Sequence, residues 1–455
     1  MFKYMQIMNE IKTGIVTGIY KPGDKLCSVQ SLTKKLGINA DTVIRAYKLL
    51  EEEHFIYSVP RSGYYVVKSA LTSDGNGIID MIHVRPPSEI NPYKDFNHCM
   101  KKSAVLYDYK LYEYASPEGM EELRRVVCKY LANSHVITSP ENIVITSGAQ
   151  QALYILANME FRNNPNSAPN KISKILVEQP TYHLMLQILE KSSIPVIGIE
   201  RNEGGVNLEE LEYKFRSENI KFFYSMPRYQ NPTGFCYSQK DKLEILKLAK
   251  KYGVYIVEDD YVADLEIDPK ADSFYTLGGI NQVIYVRSFS KTLLPGLRLG
   301  MLILLPFLKD RFINIKHLMD LNTTTITQGA LEIYLKSGMY DVHLGRLKEY
   351  YRNKMKELLK LCHTYISSEN EIYIPQTGIY LTLEVSAITS TYLKNKLDKE
   401  HIYVSLLEDS YIKEYKGKSG IRLCVCNAKE EELEKTIRII GLELNKKRNR
   451  RDKII

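Results

Sequence analysis

Ser288-Phe-Ser-Lys291 closes the run Val283-Ile-Tyr-Val-Arg287, and Arg298 follows seven residues after the lysine. A short apolar run rich in Val, Ile and Tyr predicts a buried strand. Four similar runs lie upstream of it, at Ile143–Thr146, Ile175–Glu178, Phe222–Ser225 and Val254–Glu258, and another follows at Leu299–Leu304. Helical patterns at Met120–Ala132, Gln150–Phe161 and Gln239–Tyr252 lie between many of them. The alternation predicts an α/β domain with a mostly parallel sheet. Ligands of such sheets bind at the carboxyl ends of the strands.

The chemically useful residues fall at those ends. Thr146-Ser-Gly-Ala-Gln-Gln151 follows one strand and opens a helix. A glycine that frees the N–H groups of a helix N-terminus makes a phosphate seat. Asn231-Pro-Thr-Gly234 follows a second strand, Asp259 and Tyr261 a third, and Ser288 and Lys291 a fourth. Asp260 stands beside Asp259 as the alternative carboxylate. Pyridoxal 5′-phosphate (PLP) is the cofactor whose chemistry wants this set. Its aldehyde needs a lysine amine to hold it as a Schiff base, and its ring nitrogen needs a carboxylate to keep it protonated. The phosphate needs N–H donors, hydroxyls and a cation.

From about residue 80 to 440 the sequence resembles the fold-type I PLP-dependent aminotransferases. The resemblance implies a large, mostly parallel sheet domain with a smaller C-terminal lobe. It implies Lys291 as the catalytic Schiff-base lysine, Asp259 on the pyridine nitrogen, and Tyr261 and Asn231 on the 3′-oxygen. Gly148, Ala149, Gln150, Ser288 and Arg298 would hold the phosphate. Tyr182, in Glu-Gln-Pro-Thr-Tyr, would stack on the ring. Tyr114, in Tyr-x-x-Pro-x-Gly, would reach the phosphate of a neighbouring subunit, with Tyr112 as the alternative residue. Arg422, in Gly420-Ile-Arg-Leu423, would clamp a substrate or effector carboxylate, a bidentate task suited to arginine. One departure stands out. Ile82-His-Val-Arg-Pro-Pro-Ser-Glu89 has no glycine where the family has a glycine-containing turn beside the substrate pocket.

Working outward to the N-terminus, Tyr4, Ile7, Met8, Ile11 and Ile15 recur at helical spacing. Val29–Leu36 predicts a second helix, and a third is capped by Asn39 and runs from Asp41 to about Glu53. Phe55–Tyr57 and Tyr64–Val67, joined through Pro60-Arg-Ser-Gly63, predict a hairpin. These are the parts of a winged helix-turn-helix. Residues 1–69 hold ten Lys or Arg against six Asp or Glu, a net +4 out of the whole chain's +8. That concentration favours phosphate contact.

Ile19-Tyr-Lys-Pro-Gly-Asp-Lys-Leu26, Leu36-Gly-Ile38, Thr42-Val-Ile-Arg-Ala-Tyr47 and Arg61-Ser-Gly-Tyr-Tyr-Val66 resemble the GntR-type DNA-binding domain. The resemblance implies DNA contacts from Ser28, Thr42, Arg45, Arg61, Ser62 and Gly63. Two family arginines are absent, at Cys27-Ser-Val-Gln30 and at Asn39-Ala40.

The expected organisation is a DNA-binding domain at 1–69, a linker at 70–79 and the PLP-binding domain at 80–455. Together the two resemblances are those of the MocR-type transcription regulators. They imply a head-to-tail homodimer that binds a double-stranded DNA operator and responds to an amino acid, an amine or PLP itself. The alternative is a working amino acid aminotransferase with a vestigial N-terminal domain.

Composition agrees with a globular protein. The chain has 455 residues, 44% hydrophobic and 25% charged, too apolar for a disordered one. Seven scattered cysteines predict no disulfide framework, and Cys424-x-Cys426 reads as ordinary strand cysteines rather than half a zinc site, so no metal is expected. The start has no apolar signal region, and the longest apolar stretch, Leu299–Leu308, is about ten residues, too short to span a bilayer. A cytoplasmic protein is expected. The basic tail, Asn445-Lys-Lys-Arg-Asn-Arg-Arg451, reads as a solvated, disordered end.

Overall fold

The computed structural model describes residues 3–53, 55–60, 62–67, 78–84, 86–161, 173–268, 271–366, 372–373, 375 and 378–451. The chain divides into two compact units, Met1–Ile78 and Ile79–Ile455. Residues 70–77 of the expected linker, and Arg61 of the expected wing, lie outside the described residues.

The first unit contains helices α1 (Lys3–Val16), α2 (Val29–Leu36) and α3 (Ala40–Glu52). An antiparallel hairpin of β1 (Ile56–Val59) and β2 (Gly63–Val66) follows, in the register Val59 to Gly63. Ile7 and Ile11 of α1, Val43, Ala46, Tyr47 and Leu50 of α3, and Ile56 and Val66 of the hairpin share one core. The Tyr47 hydroxyl is buried with the core and donates to the Cys27 carbonyl at 2.7 Å. Asn39 caps α3 through its side-chain oxygen, which accepts from the Asp41 amide at 3.1 Å.

The second unit begins with β3 (Ile79–Asp80), α4 (Tyr93–Tyr107) and α5 (Glu121–Ala132). Next come β4 (Ile143–Thr146), α6 (Ala149–Asn158), β5 (Lys174–Gln179), α7 (His183–Lys191), β6 (Val196–Asn202) and β7 (Gly205–Val206). They are followed by α8 (Leu208–Ser217), β8 (Ile220–Ser225), α9 (Gln239–Tyr252), β9 (Tyr255–Asp259), β10 (Val283–Ser288) and β11 (Gly300–Ile303). The sheet order is β4-β11-β10-β9-β8-β5-β6-β7. From β10 through β9, β8 and β5 to β6 every pairing is parallel. β11 runs antiparallel to both β10 and β4, against the direction of the strands it sits between. The central strands are buried on both faces, which explains their unbroken apolar runs.

Helices α10 (Pro306–Asp320), α11 (Thr325–Lys336) and α12 (Met339–Tyr365) lead to a smaller lobe. Leu344, Leu347 and Tyr351 of α12 belong to the large core, whereas Met355, Leu358 and Cys362 belong to the second core. One helix of about 40 Å thus ties the two lobes together. The smaller lobe adds β12 (Ile372–Tyr373), β13 (Tyr380–Glu384), α13 (Ala387–Lys399), β14 (Ile402–Tyr403), β15 (Ser405–Leu406), β16 (Gly420–Cys424) and α14 (Glu430–Arg451). Its sheet order is β12-β13-β16-β15. β3 pairs with β14, and the Cys424 amide donates to the Met81 carbonyl at 2.8 Å. The start of the second unit is thereby stitched to its last strand. The tail is not the disordered end its composition suggested. Helix α14 carries the backbone to Arg451, started by Glu430, Glu431 and Glu432 and held by buried Leu433, Ile437 and Ile440. Among the described residues, no helix is long and apolar enough to cross a membrane, and no cluster of His, Cys, Asp and Glu is fit to hold a metal.

Candidate functional site

The parallel strands β8, β9 and β10 end at one edge, so the loops that follow them meet there. A cavity of ≈ 350 Å³ opens at that edge. Ala149, Gln150, Tyr182, Asn231, Asp259, Tyr261, Ser288, Lys291, Arg298 and Arg422 all line it. The sequence scatters these residues from position 149 to position 422.

Asp259 ends β9. Its Oδ2 accepts from the Tyr224 hydroxyl at 2.8 Å, and its Oδ1 is buried without a hydrogen-bond partner among the described residues. Burial pushes this carboxyl up to about 7; the Tyr224 hydrogen bond opposes the rise and the Asp260 carboxylate adds to it. Asp260, the alternative, points elsewhere. It is paired with Arg228 and accepts from the Tyr285 hydroxyl at 2.8 Å.

Lys291 sits in the turn after β10 and makes no ion pair among the described residues. Burial lowers the pKa of its ammonium group; Cys424 and Cys426 oppose this, while Arg422 and Arg298 reinforce it. The amine is therefore closer to its nucleophilic free-base form than an exposed lysine would be.

Gly148, just ahead of α6, has φ 86° and ψ 166°, a conformation that is essentially glycine's alone. A Cβ there would stand 2.8 Å from Nη2 of Arg298. Thr146 donates to the Gly148 carbonyl at 3.0 Å, and the Gln151 side-chain oxygen accepts from the Ser147 amide at 2.8 Å. These bonds fix the turn so that the first amides of α6 and the Arg298 guanidinium converge. Such a turn is an anion seat.

Arg422 projects from β16 of the smaller lobe. Its Nη1 donates to Oδ1 of Asn231 at 3.0 Å, and its Nη2 donates to the Ile82 carbonyl at 3.0 Å and to Ser405 at 2.9 Å. The guanidinium lies 4.6 Å from the Tyr380 ring centre. The glycine-free turn is thus part of the cavity wall, with Ile82, His83 and Val84 lining it. Tyr261 donates to the Tyr229 carbonyl at 2.7 Å.

Tyr114 is 86% exposed and does not line the cavity; the alternative, Tyr112, is 73% exposed. The Ala115 amide beside Tyr114 donates to Asn322 at 3.4 Å, which places this segment against the end of α10.

Several cavity residues escaped the sequence reading. Ser290 lies inside the quoted Ser-Phe-Ser-Lys motif without a role assigned to it, and its buried hydroxyl has no hydrogen-bond partner among the described residues. His183 follows the recognised Tyr182 and lines the cavity with an imidazole held down to about 4 by burial and by the Arg422 and Lys291 cations. Tyr380, also in the lining, carried no motif at all, and Tyr224, which is outside the lining but bonded to Asp259, lies inside a strand read only as core.

Among the expected DNA-contacting residues, Ser28 caps α2, accepting from the Ser31 amide at 3.1 Å. Arg45 lays its guanidinium 4.2 Å from the Tyr4 ring centre. Ser62 shares a hydrogen bond of 2.6 Å with Tyr65 at the wing, and Gly63 has φ 121°. Thr42 is half-buried in the first turn of α3.

Residues 90–440 match the family model for aminotransferase class I and II, and residues 3–66 match that for bacterial regulatory proteins of the gntR family. The chain is 38% identical over 450 residues to YcxD of Bacillus subtilis (strain 168), an uncharacterized HTH-type transcriptional regulator, covering 97% of this chain and 99% of that one. The chain belongs to the MocR-type regulators. YdcR of Escherichia coli (strain K12), another uncharacterized HTH-type transcriptional regulator, is 27% identical, with 85% of this chain and 86% of that one aligned. The fold is also that of solved aminotransferases. LysN, the α-aminoadipate aminotransferase of Thermus thermophilus, superposes with a TM-score of 0.72 at 24% identity over 81% of this chain and 92% of that one. The kynurenine aminotransferase of Pyrococcus horikoshii does so with 0.74 at 23% identity over 91% and 96%.

In this MocR-type regulator the cavity fits pyridoxal phosphate on its own chemistry. It offers an unpartnered buried carboxylate oxygen, an unpaired lysine, an unpartnered serine hydroxyl and a glycine turn facing an arginine.

Proposed function

We propose that this chain is a DNA-binding transcription regulator that holds PLP at Lys291 and reports on an amino acid, an amine or the cofactor itself. The observation that carries the reading is the meeting of Lys291 and the unpaired Oδ1 of Asp259 in one cavity beside a phosphate-type turn. PLP, when bound, supplies an aldehyde that takes an amine as a Schiff base and a ring that draws electrons from it. The chain does the rest. Asp259 receives the ring nitrogen and keeps it protonated. Gly148, Ala149, Gln150, Ser288 and Arg298 hold the phosphate, and Ser290 adds a hydroxyl. Asn231 and Tyr261 stand at the 3′-oxygen, and Tyr182 covers the ring. Arg422 receives the effector's carboxylate.

A ligand can shift a regulator only by its differential affinity for two arrangements. Arg422 binds groups on both lobes and on the turn at Ile82, so a carboxylate competing for its guanidinium changes what holds these parts together. A head-to-tail homodimer is supported by exposed apolar side chains at Val105, Leu106, Tyr109, Tyr112 and Leu318. In such a dimer Tyr114 would reach the partner's phosphate seat. The winged helix directs the protein to duplex DNA, and hence to the cytoplasm of a bacterium.

The test is an absorbance titration with PLP, comparing the wild type with Lys291→Ala. A visible band present in the wild type and absent from the variant is expected. A wild type with no Lys291-dependent band would end the PLP reading. The alternative, a working aminotransferase, is favoured by the two missing DNA-facing arginines. Multiple turnover of an amino acid with a 2-oxo acid would establish it, and salt-sensitive DNA binding without turnover would discard it.

A further inference from the structure

Helix α3 buries Val43, Ala46, Tyr47 and Leu50. The opposite face is therefore fixed, and it presents Asp41, Ile44, Arg45 and Lys48, all exposed. These positions stand at i, i+3, i+4 and i+7, one continuous stripe. Its length is about 10 Å, roughly three base-pair steps. Three features of this stripe are odd for a surface whose only task is phosphate contact.

Arg45 is the natural reader of guanine, yet its guanidinium is stacked on Tyr4. Ile44 is 45% exposed, although the core of the unit is complete without it. Asp41 puts a carboxylate on the outward side of the first turn. It favours the helix dipole, but the cap is already supplied by Asn39, and Asp41 forms no ion pair among the described residues. Facing a duplex, that carboxylate is repelled by phosphates unless it accepts a hydrogen bond. In the major groove only the amino groups of cytosine and adenine donate. Adenine sets its N7 acceptor beside that amino group, against the second carboxylate oxygen. Cytosine N4 carries no such conflict.

We infer that α3 reads its operator by Asp41 accepting from a cytosine amino group and Ile44 packing on a thymine methyl group. The inference rests on the DNA-binding reading above and adds the bases recognised. The surplus charge of the first seventy residues supplies affinity, and these two side chains supply choice.

The experiment selects bound sequences from random double-stranded DNA with the full-length protein, and then measures affinities for one selected site. The selected half-site contains cytosine at one position and thymine within about three steps of it. Asp41→Ala is expected to remove most of a roughly 5- to 150-fold preference for that cytosine. Replacing the thymine by deoxyuridine deletes only the methyl group. This should weaken wild-type binding several-fold and leave Ile44→Ala indifferent to the exchange. Both variants alter exposed side chains, and retained salt-sensitive binding to random duplex checks their fold. If Asp41→Ala keeps the cytosine preference, or Ile44→Ala keeps the deoxyuridine penalty, the base assignment is overturned while DNA binding stands. If the wild-type protein retains no duplex at low salt, the DNA-binding reading falls and the assignment falls with it.

Discussion

The Tyr224 hydroxyl binds one oxygen of Asp259 at 2.8 Å and leaves the other buried and unpaired. Burial raises this carboxyl from an ordinary value near 3.8 to about 7, against the pull of the Tyr224 bond. A carboxyl raised in the folded state contributes stability that is present at low pH and lost as pH climbs from about 4 through about 7. Without cofactor, Asp259→Asn should melt at or above the wild-type temperature at pH 8, and this advantage should shrink toward pH 5. Its affinity for PLP should fall roughly 10- to 150-fold, the cost of one charge-assisted hydrogen bond. Thermal melts of the apoprotein across that pH range check the first part. A variant less stable than wild type at pH 8 would contradict the picture of an unpaired anion.

Gly148→Ala tests the phosphate seat. The backbone at φ 86° and the close approach to Arg298 both resist a methyl group. Stability should drop by about 1–3 kcal/mol. The more telling readout compares PLP with pyridoxal. The variant should lose much of its preference for the phosphorylated form, and an unchanged preference would place the phosphate elsewhere.

Arg422→Lys keeps a cation but loses the planar fork. Binding of amino acids to the cofactor-loaded protein should weaken roughly 10- to 100-fold, whereas amines without a carboxylate should bind as before. Titration of the cofactor's absorbance with matched pairs, such as an amino acid and its decarboxylated amine, separates the two. Equal losses for both would mean that Arg422 serves only to hold the lobes.

Tyr47→Phe concerns the first unit alone. It removes the bond to the Cys27 carbonyl while keeping the ring in the core. A cost of about 1 kcal/mol is expected. Because the Cys27 carbonyl immediately precedes Ser28, the cap of α2, amide exchange should quicken in α2 more than in the second unit. Uniform quickening through both units would count against this local account.

The strand-end residues were legible because a buried parallel strand writes itself as a local apolar run, and Asp259 and Lys291 stand within a few residues of such runs. Their partners were not. Tyr224 reaches Asp259 from a neighbouring strand, and Arg422 meets Asn231 across 191 residues. The smaller lobe was only coarsely visible, since strands of two residues such as β12, β14 and β15 show no period. The reversed direction of β11 leaves no mark in composition, for a strand buried on both faces reads alike either way. In the winged helix the elements were plain, but Ser28 as a cap and Arg45 over Tyr4 depend on side-chain geometry. The charge of the tail pointed to solvent, yet the apolar Leu433, Ile437 and Ile440 upstream hold the helix that carries it.

The amide of Cys424 holds the carbonyl of Met81, two residues beyond Arg422 on the same strand and three residues into the second unit. That single bond ties the opening segment of the second unit to the strand that carries Arg422, so a shift of that strand reaches Met81 through main-chain atoms, without any relay of side chains.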